Sequence, residues 1–181
     1  MFDPTIYDNL KVVLEGELYD RDLAGSIVIS NRSDLIDLAR MSRAFQLAFR
    51  LRDSLHHQVT VSLSATTQEL FGEIMEVEDA STGCHLAMTF HSQLVIGNQQ
   101  DWINQCGVIR LKLEAIWGSA VRMKQALVAS LQADGQPDAY ECQTDCVFIR
   151  KITEEQINDL PSLVDSIVES LIQLNAISAQ K

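Results

Sequence analysis

Positive charge is scarce in this chain: 14 Lys and Arg stand against 25 Asp and Glu, a formal net charge of −11. Such a balance opposes binding to phosphate backbones and to anionic lipid. Nucleic acid and membrane surfaces are therefore not expected as partners. The one basic grouping, Arg40, Arg43, Arg50 and Arg52, fits a solvated strand face balanced by nearby acids better than a phosphate-binding patch. Glycine is thin as well. The 8 glycines lie scattered, without the G-x-G-x-x-G or P-loop spacing that cradles a phosphate, and neither G-x-S-x-G nor H-E-x-x-H occurs. No catalytic residue, cofactor or metal site is assigned, and the reading leans away from an enzyme.

Long apolar runs are missing too. The longest uncharged stretches, such as 83–100, contain His, Gln, Ser and Thr and are not membrane spans. Met1-Phe2-Asp3-Pro4 opens the chain without a basic region or a long apolar core, so no targeting segment is expected. With only 4 cysteines and no secretory signal, free thiols in a reducing cytoplasm are expected. In an extended segment Cys142 and Cys146 lie about 13 Å apart, too far to bridge. Their C-x-x-x-C spacing without a second pair is a weak zinc or redox signal, and Cys84 and Cys106 read as core packing.

What the sequence does hold is alternation. Between 43 and 95, Phe45, Leu47, Phe49 and Leu51 point one way in an extended chain; so do Val59, Val61 and Leu63, and then Cys84, Leu86, Met88 and Phe90. Leu70, Gly72 and Ile74 alternate with Phe71, Glu73, Met75 and Val77, which predicts a further strand ahead of the turn cluster 78–83. Short polar breaks between these runs suggest an antiparallel meander that buries one face against helices.

The rest of the chain lies around that sheet. Residues 2–8 read as a loop or docked arm. Leu10, Val12, Leu14 and Leu18 alternate with Lys11, Glu15 and Glu17, predicting a first strand over 9–19 with a bulge at Gly16. It forms a hairpin with a second strand over 26–30. Asn31 or Ser33 then caps a helix from Asp34 to about Met41. One helix over 33–52 competes, because its Ala, Leu, Met, Gln and Arg are good helix formers.

After Gly97, Asn98 is a plausible N-cap with Asp101 at the third helical position. Trp102, Cys106, Ile109, Leu113, Ile116, Ala120, Met123 and Leu127 recur at spacings of four and three, a heptad pattern favouring a long helix with a kink at Gly118. A strand over 108–117 also fits. The turn signal at 133–138 precedes a strand over 140–152. Thr153 and Gln156 then form a capping box. Beyond it Ile157, Leu160, Val164, Ile167, Leu171 and Leu174 mark a helix face, with Ser166 and Ser170 on the polar side, and 178–181 fray.

The 181 residues make one α+β domain, which at this size buries roughly 70% of its unfolded surface. The expected architecture is an antiparallel meander of about six to seven strands packed on one face by two or three amphipathic helices. Residues 9–95 are strand-rich and 98–176 helix-rich.

The polar constellations are modest. His85 and His91 share a strand face but lie about 20 Å apart, so neither completes a metal site without a carboxylate such as Glu73 or Glu76. Glu73, Glu76, Glu78 and Asp79 read as solvated acids. His56-His57 sit in a break between strands. More telling is the apolar helix surface, which exceeds what one sheet face needs. It points to a cytoplasmic protein that binds protein, as a homodimer or with another partner. Trp102, Ile109, Leu113, Ile116 and Trp117 are the expected interface. The rival reading is a small-molecule site, or an enzyme, with a ligand held between a curved sheet and the C-terminal helix and His85 or His91 lining it.

Overall fold

The structure, a computed structural model, describes residues 5–75, 83–94, 97–133 and 137–178. Its first element is a helix, α1 (Thr5–Leu23), where a strand was expected over 9–19. Tyr7, Leu10, Leu14 and Leu18 recur at three and four residues and are all buried, whereas Val12, which a strand would place beside Leu10 and Leu14, is 63% exposed. The helical period wins because only it separates the buried residues from Val12.

Six strands follow as one antiparallel sheet: β1 (Ile27–Asp37), β2 (Ser42–Leu51), β3 (His57–Ala65), β4 (His85–Gln93), β5 (Val121–Leu131) and β6 (Pro137–Phe148). Their order is β1-β2-β3-β4-β6-β5, so the meander runs through β4 and the last hairpin docks by β6, leaving β5 at the edge. The helices α2 (Thr67–Ile74), α3 (Gln99–Trp117) and α4 (Leu160–Ser178) complete an α+β fold.

Three further segments depart from expectation. The helix from Asp34 is absent: β1 runs on to Asp37, in register with β2 from Ile27↔Leu51 to Asp37↔Ser42. Lys11 and Glu15 of α1 hold this stretch by ion pairs to Asp34 and Arg32. The competing helix over 33–52 does not form either. The strand expected from Leu70 is α2, and its final residues, with the turn acids Glu78 and Asp79, lie outside the described residues. The long heptad helix forms but stops at Trp117, and the competing strand over 108–117 is absent, since those residues belong to α3. Gly118 (φ +50°) closes the helix, its N–H bonding Glu114 O. A short 3₁₀ turn at Gly118–Ala120 then enters β5, which takes in Met123 and Leu127.

Both expected caps form. Asn98 and Asp101 make a reciprocal box at α3, and Thr153 and Gln156 another, on a 3₁₀ turn (Glu154–Asp159) leading into α4. The core lies between the sheet's apolar face and the helices. Cross-strand ladders Phe45↔Leu63, Leu47↔Val61 and Phe49↔Val59 continue through Val61↔Met88 and Val59↔Phe90 to Cys146 and Thr144. Val164, Ile167, Leu171 and Leu174 of α4 are fully buried against this layer. The opposite face carries half-exposed Gln58, Thr60, Ser62, Thr89, His91 and Gln143. Among the described residues no helix is long and apolar enough to cross a membrane.

Candidate protein-docking groove

The α3 stripe goes inward. Ile109, Leu113 and Trp117 are buried in the core and Ile116 packs against it. Trp117 Nε1 donates to Ser170 Oγ at 3.0 Å and its ring meets Phe148 edge-on. Ser170, expected on the polar side of α4, is therefore a buried acceptor. Trp102 stacks on Tyr140 with ring centroids 3.7 Å apart. Four of the five residues expected at an interface thus belong to or pack on the chain's own core, and Trp102 is covered on one face by Tyr140. Between sheet and α4, where the rival reading put a ligand, Val164, Ile167, Leu171 and Leu174 are fully buried, and an open cavity of about 730 Å³ lies at the end of the sheet against Leu51, Leu55, His56, Val168, Ile172 and Asn175.

Exposed apolar surface collects elsewhere, where α2 meets the β1–β2 turn. The Asp37 carboxylate accepts from the amides of Ala39 and Arg40 at 2.9 and 3.1 Å, which tightens the turn. Met41 is driven to φ +52°, a conformation a long side chain rarely adopts. The consequence is outward: Leu38 stands 80% exposed and Met41 and Ile36 more than half exposed. Across from them, α2 presents Phe71 at 58% and, one helical turn on, Met75 at 60%. Thr67 Oγ1 donates to Arg40 O and ties the two walls together. Between them is a groove of about 430 Å³ lined by Ile36, Leu38, Met41, Leu70 and Phe71, with Arg43 and Thr67 its polar contributors.

The groove is rigidly backed. Arg43 donates to Asp8 at 2.8 Å and its guanidinium lies 4.5 Å over the Tyr7 ring, pinning β2 to α1. Under α2, Glu69 accepts from the amide and hydroxyl of Thr66 and from Lys151 at 2.8 Å. Burial opposes its charge, but the Lys151 ammonium and the two Thr66 donors outweigh that and pull its carboxyl down to about 2. Thr66-x-x-Glu69 is a capping-box spacing, the one signal in the sequence that could have revealed α2 and hence the groove.

The polar candidates stay apart. His85 sits 3.4 Å from Glu69, and His91 Nδ1 is 2.6 Å from Glu141 at the other end of β4. Glu76 lies outside the described residues, and among those described no group of His, Cys, Asp and Glu could hold a metal ion. His57 is buried beside Ser92 Oγ at 2.9 Å. Burial pushes the Cys142 and Cys146 thiols up to about 12, so both stay protonated and unreactive. The basic grouping dissolves into structural tasks: Arg50 donates to the Leu51, Arg52 and Ser54 carbonyls and Arg52 to Gly25 O. Of the four, only Arg43 makes an ion pair among the described residues, and Arg40 is exposed.

Comparison with protein-family models, with curated proteins and with solved structures returned no match.

Proposed function

We propose that this chain is a protein-binding module that holds an amphipathic helical segment of a partner protein in the groove between α2 and the β1–β2 turn. The observation that carries this reading is the exposure of Ile36, Leu38, Met41 and Phe71 around one concavity, with exposed Met75 one helical turn beyond Phe71. At roughly 200 Å² per large side chain, these five leave on the order of 600 Å² of apolar surface in water, the upper end of what a monomer carries without a use for it. A partner covering it buries on the order of 1,200 Å² in total, the lower bound of stable interfaces. Apolar residues at helical spacing suit the groove's length, and a carboxylate beside them suits Arg40, which makes no ion pair among the described residues. The four cysteines form no disulfide, which supports a reducing, cytoplasmic setting.

A small apolar ligand is the second reading, favoured by a volume within the usual range for ligand sites. Against it, Arg43 is already engaged by Asp8, which leaves few polar groups to orient a small molecule.

The test is fluorescence anisotropy with a synthetic helical peptide carrying Leu and Phe on one face and Glu on the other. Saturable binding is expected, at least tenfold weaker for Leu38→Ser or Phe71→Ser and weaker again for a Lys-faced peptide. Absence of saturable binding, or binding indifferent to both substitutions, overturns the proposal.

A further inference from the structure

The two edges of the sheet are built differently. An edge strand offers a row of unpaired N–H and C=O groups, and proteins blunt such edges with bulges and inward-pointing charges. Edge strand β1 has both: a register shift between Ile29 and Asn31, and Arg32 and Asp34 turned onto α1 in ion pairs. Edge strand β5 has neither along most of its length. Its register with β6 is regular from Val121 to Ser130, shifting only at Leu131. Ala126-Leu127-Val128-Ala129-Ser130-Leu131 carries no charge and no proline, and all six residues are exposed. The strand's two charges, Arg122 and Lys124, lie at its other end, both exposed and neither in an ion pair among the described residues.

This pattern suits one occupant. We infer that β5 pairs antiparallel with β5 of a second copy across a two-fold axis near Ala126, joining two sheets into one. The arrangement follows from the charges. Pairing about Ala126 sets Lys124 opposite the partner copy's Val128 and Arg122 opposite its Ser130, so the cations of the two strands are kept apart. On the same face, Val128 is in register with Glu141 of β6, which brings each lysine toward a carboxylate one strand further on. On the other face Leu131 meets Val121 and Ala129 meets Met123, apolar against apolar, while Leu127 lies opposite Gln125, whose amide is already held by Cys106 O and Thr144 Oγ1. The interface is isologous and closes at two copies. It uses no groove residue and stands independently of the groove reading.

Cysteine cross-linking tests it. Directly opposite residues in an antiparallel pair have Cα atoms about 4.5–5.5 Å apart, within disulfide reach. Ala126→Cys under mild oxidation should give a covalent dimer in high yield. Ser130→Cys should not, since its two copies lie about 27 Å apart in this register. Native mass spectrometry of the unmodified chain should show a dimer at micromolar concentration, and Val128→Lys should weaken it at least tenfold while leaving helical-peptide binding unchanged. A monomer throughout the micromolar range overturns the inference. So does a dimer that Ala126→Cys fails to link, and one dissolved by Phe71→Ser rather than Val128→Lys would assign self-association to the groove.

Discussion

His57 lies on the sheet's inner face, buried, with Ser92 Oγ as neighbour. Burial, with the adjacent His56 adding to it, holds its pKa down at about 4. The unfolded chain takes up a proton near pH 6.5, which the folded protein refuses until about pH 4. Stability is therefore full above pH 6.5 and falls as the pH drops through that window, by on the order of 3 kcal/mol at its lower end. Urea denaturation at pH 7.5 and pH 4.5 checks this. His57→Gln, neutral at both, should lose about 2 kcal/mol less between them than the natural protein. Parallel losses would mean that the imidazole is not the group responsible.

At the scale of elements, α2 depends on Glu69. Glu69→Gln keeps the shape but takes the carboxylate from the Lys151 ammonium and weakens the Thr66 cap, a loss of about 2 kcal/mol. Because the carboxyl of Glu69 is held down at about 2, its contribution is present above about pH 4.5 and disappears as the pH falls toward 2. Amide exchange should show the variant's loss concentrated in α2, with helical-peptide binding weakened in step. A uniform loss across the sheet would contradict this placement. The same helix shows why parts of the fold were hidden from a reading of the sequence. A spacing of four residues satisfies both periods, since it keeps one face of a helix and one face of a strand. Leu10, Leu14 and Leu18 passed for a strand for that reason, and Met123 and Leu127 for a helix. The residue midway decides: Val12 is exposed, and Gln125 donates to Cys106 O and Thr144 Oγ1 beneath α3. Strands β2, β3 and β4 were legible because their apolar residues sit two apart, as in Phe45, Leu47 and Phe49, which no helix face accommodates. The groove was not legible. Whether Leu38 or Phe71 is covered depends on what the fold sets opposite it, and no local pattern carries that.

For the whole molecule, net charge decides how two copies meet. A chain of this length has a diameter of roughly 40 Å, and two copies of net charge −11 held side by side repel by on the order of 10 kcal/mol in water without salt. The Debye length reduces this to about 3 kcal/mol at 0.01 M ionic strength and to a negligible amount at 0.15 M. The opposing attraction, Lys124 toward the partner copy's Glu141, is solvent-exposed and contributes about 1 kcal/mol at most for each pair. Repulsion is the larger effect, so self-association should tighten by roughly a hundredfold as ionic strength rises from 0.01 to 0.15 M. Binding of a helical peptide of zero net charge, which the chain's net charge does not repel, should change by less than tenfold over the same range. Sedimentation equilibrium and peptide anisotropy across one salt series separate the two surfaces. A dimer that weakens with salt would mean that local ion pairs hold it, against a strand interface made mainly of backbone hydrogen bonds and apolar side chains.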